Sequence, residues 1–330
     1  MVRDITHILA KCLIFAIPFV PLNVYLYYSS PFFEKQQDYH ATIEGFFDGT
    51  EVNTLIIGDS HPGTITNDML NDHTYNLAFG GDGLKENYLK LKYVLERSNS
   101  VKTLFLTADA QMFGARRVQS SNNSFLNKYV FQTGEFDVYG KSASSVAADM
   151  IPLFNDSYIE YLNKSIQDNL SGHIAQRDLY QQLRADHSMW AREFNDAQRI
   201  EMAEKTGVSD HRGVLNDSIQ VEYYQKIFDL CQSHEVEVIG VKYPAMQEYL
   251  AGLPTEKQQD LDSLFNTLDF QAMLDYRNFS QDPTLFKNED HVNDDGAILM
   301  IKEMEAATGL NLGRNLAMNE EKMQTLPVVQ

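Results

Sequence analysis

The chain has 330 residues, enough for one large domain or two small ones, and its 43% hydrophobic content can bury a substantial core. Its formal net charge is −19, from 46 acidic against 27 basic side chains. Such a surface repels a phosphate backbone and argues against nucleic-acid binding. Two cysteines, Cys12 and Cys231, lie far apart in the sequence, so no disulfide framework is expected.

The N-terminus is predicted to anchor the chain in a membrane. Residues 12–33 form a run of 22 without a charged side chain, which at about 1.5 Å per residue can cross a hydrocarbon core of about 30 Å. Arg3 and Lys11 precede the run and acidic residues follow it, which favours a cytoplasmic N-terminus and an extracytoplasmic (periplasmic) remainder. We therefore interpret residues 1–33 as an uncleaved signal anchor, with a buried core helix as the alternative.

Apolar runs alternate with amphipathic segments after the anchor, which predicts an α/β fold with a parallel sheet and crossover helices. The predicted strands are 52–57, 73–79, 101–107, 236–242 and 270–275, and the predicted helices include 82–98, 218–234, 255–268 and 293–308. Residues 34–310 are expected to form this domain, and a polar tail occupies 311–330.

The stretch 110–218 breaks the strand–helix rhythm. It is polar, and its pattern predicts helices at about 157–167 and 186–206. We interpret it as an insertion over the carboxyl edge of the sheet, where open α/β sheets bind ligands. A lid that shapes a substrate site and a purely structural helical cap are both consistent with this pattern.

Two distant segments carry the candidate chemistry. The predicted strand 52–57 runs directly into Gly58, Asp59 and Ser60, a turn that can present the serine at the carboxyl edge of the sheet. A serine nucleophile needs a base, although Gly-Asp-Ser is also typical of an ordinary turn. His291 lies in a polar loop just before the last predicted helix. A nucleophile after the first strand and a base before the last helix suit an α/β active site.

These segments resemble the first and last conserved blocks of the SGNH (GDSL-type) hydrolase superfamily. They resemble most closely its membrane-anchored members that act in O-acylation of cell-surface polysaccharides, such as the teichoic-acid D-alanylation protein and the alginate acetylation proteins. The shared features are the anchor, Gly-Asp-Ser-His at 58–61 and Asp-His-Val-Asn-x-x-Gly-Ala at 290–297. The resemblance covers about 50–110 and 220–310, and implies a three-layer SGNH-hydrolase-like fold.

The resemblance also implies a chemistry. Ser60 would attack an ester or thioester carbonyl, and His291 would accept its proton. The backbone N–H of Ser60 and that of Gly80 or Gly81 would stabilise the oxyanion, unless these glycines form a simple turn between strand and helix. The implied partners are an acylated glycan or acyl donor and a membrane-bound acyltransferase. No cofactor is expected, and the other histidines show no metal-ligand spacing.

Two positions depart from the superfamily pattern. The residue three before His291 is usually Asp but here is Asn288, which can orient an imidazole without supplying charge; Glu289 or Asp290 can take that role instead. Asp109 stands where the superfamily offers an Asn to the oxyanion, so it points away, binds another group or marks reduced hydrolase activity. These departures leave open a catalytically weakened scaffold that binds a polysaccharide or a membrane partner. A lipase or thioesterase kept near lipids is a third interpretation.

Overall fold

The computed structural model describes residues 17–48, 51–118, 122–171 and 189–314. Its strands are β1 (Thr54–Ile57), β2 (Thr74–Asn76), β3 (Thr103–Thr107), β4 (Glu237–Lys242), β5 (Ala272–Asp275), β6 (Phe286–Asn288) and β7 (His291–Val292). The α-helices are α1 (Phe19–Ser29), α2 (Pro31–Glu44), α3 (Leu84–Leu95), α4 (Ala115–Val118), α5 (Asn127–Thr133), α6 (Ala143–Asp149), α7 (Asp156–Ser171), α8 (Met189–Glu193), α9 (Asp196–Asp210), α10 (Ser218–Ser233), α11 (Gln247–Leu250), α12 (Thr255–Phe265) and α13 (Asp294–Thr308).

The chain divides into two compact units. The first comprises Met1–Glu44 and Ser124–His173, and the second comprises Gly45–Asn123 and Ile174–Gln330. The second unit holds a five-stranded sheet of order β2-β1-β3-β4-β5 in which every pairing is parallel. The predicted α/β class with a parallel sheet is confirmed, and the helices around the sheet are consistent with a three-layer α/β fold.

Burial on both faces explains why β1 and β3 are largely apolar. All residues of β1 and β3 are buried, as expected for parallel strands covered on both sides. Ile56, Phe105 and Ile239 lie side by side in the sheet and belong to one core cluster with Met300 and Met304 of α13. Because side chains alternate along a strand, their neighbours along each strand face the opposite side.

The strand order places a topological switch between β1 and β3, since the chain leaves β1 towards β2 and then crosses back to β3. Open α/β sheets bind ligands at such a switch, outside the carboxyl ends of the strands. Gly58 ends β1 there: a Cβ on it would lie 1.9 Å from Thr107 Oγ1 of β3. A glycine is therefore needed for the chain to leave β1 so close to β3.

The first unit packs around aromatic side chains. Phe33 lies 4.7 Å from Tyr158 between ring centroids, and Phe32 lies 5.1 Å from Phe125. Both phenylalanines are buried and belong to the predicted anchor run, whose helix is interrupted at Ser30 by an extended backbone. Residues 1–16 lie outside the described residues. Within the described ranges, no helix has both the length and the apolar character needed to cross a bilayer.

The predicted insertion at 110–218 is helical where it is described. It does not form one block, because Ser124–His173 belongs to the first unit and the remainder belongs to the second.

The first residues of the predicted tail pack within the second unit, since Leu312 is fully buried and its carbonyl accepts a hydrogen bond of 2.8 Å from the Asn71 backbone. Residues 315–330 lie outside the described part of the chain.

Candidate active site

Three loops of the second unit bring the predicted residues to one edge of the sheet. Ser60 follows β1, Gly80 and Gly81 follow β2, and Asp109 follows β3. Parallel pairing puts these strand ends on the same edge. A Cβ built on Gly80 would lie 3.7 Å from the Cβ of Ser60, so the predicted oxyanion loop lies beside the predicted nucleophile.

The loop that carries His291 is held by its neighbours in the sequence. Phe286 and Val292, which pair in the short β6–β7 hairpin, are both buried in the core cluster under α13. Asn293 caps α13, because its side chain accepts the backbone N–H of Gly296 at 3.1 Å. A Cβ on Gly296 would lie 2.4 Å from the Leu285 carbonyl oxygen. The motif at 290–297 therefore stabilises the start of α13 in addition to supplying His291.

The Nδ1 atom of His291 faces two oxygen acceptors. It lies 2.5 Å from Asp290 Oδ1 and 3.0 Å from Asn288 Oδ1. The amide of Asn288 is itself oriented, because its Nδ2 donates to Asp290 Oδ1 at 2.9 Å. Since a carboxylate and an amide oxygen only accept, Nδ1 must carry the hydrogen. In the neutral ring this leaves the lone pair on Nε2, the form that a general base requires.

The three candidate partners of His291 have different positions. Asn288 and Asp290 both reach the ring, whereas Glu289 turns towards Thr206. Burial and the nearby charge of Asp290 raise the pKa of Glu289 to about 7. Glu289 thus does not orient the histidine. The unusual Asn288 does so together with Asp290, which supplies the charge that the amide lacks.

Ser60 and His291 are near each other without being bonded. Ser60 is partly exposed, and no hydrogen bond joins its hydroxyl to the His291 ring, both residues being described. The residue after it, His61, packs edge-to-face against His291 with 5.1 Å between ring centroids. The loops that carry the two predicted catalytic residues therefore meet at His61, and the Ser60 hydroxyl is not hydrogen-bonded to His291. Catalytic hydrogen bonds are often looser in a free enzyme than in its substrate complex.

His61 is a central residue of the site that the sequence interpretation did not single out. Its Nδ1 lies 2.8 Å from Asp109 Oδ2, and its Nε2 lies 3.4 Å from Asp290 Oδ2. Burial alone would lower the pKa of His61, but Asp59, Asp109 and Asp290 together hold that pKa well above its ordinary value. The carboxylates on the two ring nitrogens favour a doubly protonated imidazolium, although the Gln111 amide nitrogen, assigned as a donor, also lies 2.8 Å from Nδ1 and 3.2 Å from Nε2.

Asp109 binds another group rather than facing an oxyanion. Its Oδ2 pairs with His61, and its Oδ1 accepts the backbone N–H of Tyr243, just after β4, at 2.8 Å. Both oxygens are thus occupied. Of the three possibilities raised by the sequence, the structure has the one in which the carboxylate is used elsewhere.

Asp59 is a wholly buried carboxylate beside the nucleophile. Arg117 donates to its Oδ2 at 2.5 Å, and the backbone N–H of His61 donates to its Oδ1 at 3.1 Å. Burial would raise the pKa of Asp59, but the charges of Arg117 and His61 outweigh it and hold that pKa below the usual value. The turn that presents Ser60 is therefore fixed by an ion pair on the residue before it.

The loop after β2 is braced by a second buried ion pair. Lys90 of α3 donates to Asp82 Oδ2 and to the Leu77 carbonyl, both at 2.5 Å, and both charged side chains are fully buried. Asn122 donates to Asp82 Oδ1 at 2.8 Å and to the Gly80 carbonyl at 3.0 Å. Gly81 has φ of +94°, a conformation that side chains rarely adopt. The loop is thus held in a shape that needs a glycine at its turn.

Charged groups of both signs surround the two histidines. His61 and Arg117 pair with the carboxylates of Asp59, Asp109 and Asp290, and Lys287 lies close enough to His291 to lower its pKa. Burial would raise the pKa of Asp290, but contact with His291 and His61 holds it well below normal. Burial lowers the pKa of His291 in spite of Asp290, so the ring is unprotonated at neutral pH.

The same residues include a possible metal-ligand set. His61, Asp290 and His291 offer ligand atoms that all lie within 4.8 Å of one another. The sequence gave no hint of this cluster, because the two histidines are separated by most of the chain. In the structure these atoms already face partners, since both nitrogens of His61, both oxygens of Asp290 and Nδ1 of His291 are engaged.

No protein-family model and no curated protein matches this chain. The roles of the residues therefore depend on the distances, burial and charges given above. The loops that carry Ser60, Gly80, Asn288, Asp290 and His291 meet at one edge of the sheet. To these residues the structure adds a network centred on His61.

The ion pair beside Ser60 gives a test of the site's construction. Replacing Arg117 by Ala leaves Asp59 buried without its cation, so the free energy of unfolding should fall by about 3–5 kcal/mol. The control is Arg116→Ala, since Arg116 is exposed and its pairing with Asp210 should contribute at most about 1 kcal/mol. Urea unfolding of both variants makes the comparison, and equal losses would contradict it.

The effect of Arg117→Ala should depend on pH with a definite sign. The ion pair holds the pKa of Asp59 below its value in the unfolded chain. The stabilisation is therefore complete above the unfolded pKa and is lost as the pH falls through the folded one. The difference between the native chain and the variant should shrink in acid.

Proposed function

We propose that this protein is an extracytoplasmic serine acyl-ester enzyme of the SGNH type. It acts as an O-acyltransferase or esterase on a cell-surface polysaccharide, and the part of the uncharged run 12–33 that precedes Ser30 anchors it in the membrane, because Phe32 and Phe33 are buried in the first unit. The observation that supports this most directly is the pair of acceptors on Nδ1 of His291, because it leaves Nε2 as a base at the sheet edge that carries Ser60. The proposal agrees with the sequence resemblance in the order and identity of both residues.

The first half of the reaction forms an acyl-enzyme. Ser60 Oγ attacks the carbonyl carbon of the donor while its proton passes to Nε2 of His291. The tetrahedral intermediate collapses as the bond from the carbon to the donor oxygen or sulfur breaks. His291 returns the proton to the leaving alcohol or thiol, and the acyl group remains as an ester on Ser60.

The second half reverses these steps with a new acceptor. A hydroxyl of the polysaccharide, or water, loses its proton to His291 and attacks the ester carbonyl. Collapse releases the acylated product and restores Ser60 with its proton. Transfer and hydrolysis share one intermediate, and they differ only in which acceptor the site admits.

The charges of the site favour these proton transfers. The low pKa of His291 keeps the ring available as a base, and Asp290 stabilises the imidazolium while it is present. Such preorganised charges cost no rearrangement at the moment of reaction.

The oxyanion needs donors that the loops after β1 and β2 can supply. Backbone N–H groups of Ser60 and of Gly80 or Gly81 are the candidates, because the second loop lies beside the serine. Asp109 does not oppose this assignment, since both of its oxygens are occupied by His61 and Tyr243. The missing Asn of the superfamily is therefore a lost donor rather than a source of repulsion.

The substrate and partner follow from the resemblance and the anchor. A polysaccharide at the cell surface is within reach of a domain tethered to the same membrane. An acylated glycan or another acyl donor would supply the acyl group, with a membrane-bound acyltransferase delivering it. No cofactor is required, because the acyl group moves by nucleophilic substitution alone.

A second candidate is a catalytically weakened scaffold that binds a polysaccharide or a membrane acyltransferase. One observation favours it: Ser60 and His291 are not hydrogen-bonded. The two candidates differ in whether the serine becomes reactive when a substrate fills the site. Kinetics of the variants below separate them.

Removal of the nucleophile should abolish turnover. Ser60→Ala should lower kcat for p-nitrophenyl acetate and for an O-acetylated polysaccharide by about 10³-fold or more, since it removes the acyl-enzyme route. The control is Ser263→Ala on the exposed face of α12, which should leave kcat unchanged. Equal activity of the two variants, with both folded by circular dichroism, would contradict the proposal and favour the scaffold.

The partners of His291 should move its titration in opposite directions. The charged groups around it are Asp290, which raises its pKa, and His61 and Lys287, which lower it; Asn288 is neutral. Asp290→Asn removes the raising charge, so the acid limb of the pH profile of kcat/KM should move to lower pH. Asn288→Asp adds a charge, so the limb should move to higher pH.

Asp290→Asn should also reduce kcat/KM by about 10²- to 10⁴-fold, the usual contribution of a general base, because the imidazolium loses its counter-charge. Thermal unfolding of both variants checks that the fold is kept. An acid limb that stays in place in both variants would show that His291 is not the titrating base.

A further inference from the structure

The first helix presents an apolar surface to its surroundings. Along α1 the side chains of Val20, Leu22, Val24, Tyr25 and Tyr28 are exposed. An exposed helix whose accessible side chains are nearly all apolar is typical of contact with lipid rather than water. The helix also continues the uncharged run that begins at residue 12.

A second apolar feature of the same unit lies beside this helix. Between α6 and α7 the chain turns a corner whose side chains are Met150, Ile151 and Phe154, exposed by 54%, 42% and 63%. We call these three residues the apolar corner. The Leu153 backbone between them donates to Oδ1 of Asn23 in α1 at 3.1 Å. The apolar corner is thus fastened to the middle of the helix.

The backbone N–H groups of this corner are all hydrogen-bonded. Those of Met150 and Ile151 donate to carbonyls in the last turn of α6, and those of Phe154 and Asn155 donate to carbonyls of the corner itself, at 2.9–3.3 Å. Pro152 has no N–H, and that of Leu153 is bonded to α1. Every backbone donor from 150 to 155 therefore has a partner, which lowers the cost of moving this turn out of water.

The side chains of two asparagines, Asn23 and Asn155, are also hydrogen-bonded within the first unit. Asn23 donates its Nδ2 to the Phe19 carbonyl at 2.7 Å while its Oδ1 accepts from Leu153. Asn155 donates to the Asp149 carbonyl at 2.7 Å and accepts the Tyr158 N–H at 2.9 Å. Asn23 lies seven residues before Ser30, about 10 Å along the helix axis. The apolar corner therefore lies about 10 Å from the C-terminal end of α1, measured along the helix axis.

We propose that the apolar corner is a second membrane-contact site, inserted beside α1 into the acyl region of the phospholipid bilayer. The proposal rests on the anchor placed within residues 12–33 under the proposed function. The second contact is made by the loop between α6 and α7, which enters one leaflet and holds the first unit at the membrane surface. A bilayer is the occupant that explains why apolar side chains are exposed at this position beside α1.

Site-specific fluorescence in proteoliposomes tests this contact. Both native cysteines are replaced (Cys12→Ser and Cys231→Ala), and single cysteines are introduced by Phe154→Cys, Val24→Cys and Glu256→Cys. Each full-length protein is labelled with an environment-sensitive NBD dye and reconstituted in phosphatidylcholine vesicles with or without brominated acyl chains. Val24 on α1 is the positive control, and Glu256, exposed in the charged first turn of α12, is the water-exposed control.

The proposal predicts that brominated chains quench the dye at 154 at least half as strongly as the dye at 24, and leave the dye at 256 unchanged. Quenching at 24 but not at 154 would overturn the second contact and leave the anchor standing. Blue-shifted emission at 154 without quenching would mean that a protein, a second copy or a partner, covers the corner, and would also overturn it. Absence of quenching at both positions would overturn the anchor as well.

Discussion

The Asp290 carboxylate is the interaction on which the rest of the site depends. One of its oxygens faces Nδ1 of His291, and the other faces Nε2 of His61. Asp290 thereby contacts both histidines, although the pKa of His61 is raised and that of His291 is lowered. The Asp290 carboxylate orients His291, the proposed base, and stabilises its protonated form. It also links the loop after β6 to the loop after β1.

The sequence predicted those features that follow from local pattern. Apolar runs marked the central strands β1, β3 and β4, because strands buried on both faces leave little room for polar residues. Ser60 and His291 were singled out because each stands in a short motif next to a strand or helix end. Their arrival at one edge follows from parallel pairing and needs no side-chain information.

Contacts between distant segments could not be read in this way. The role of His61 depends on Asp109 and Asp290, which approach it only in the folded sheet. Arg117 looked like part of a polar insertion, yet it neutralises the carboxylate beside the nucleophile. The sequence named Asn288, Glu289 and Asp290 as possible partners of His291, but only the folded loop shows that Asn288 and Asp290 contact the ring. The N-terminal run was read as one span, while its last two aromatic residues pack inside the first unit.

The central claim is that Ser60 becomes nucleophilic through His291, although the two are not bonded in the free protein. Reaction with a fluorophosphonate tests this most directly, since the serine oxygen must attack phosphorus and expel fluoride. The account predicts one adduct per folded chain, located on Ser60 by peptide mass spectrometry and formed far more slowly in His291→Ala. A folded chain that gains no adduct, or one that is still labelled after Ser60→Ala, would contradict it.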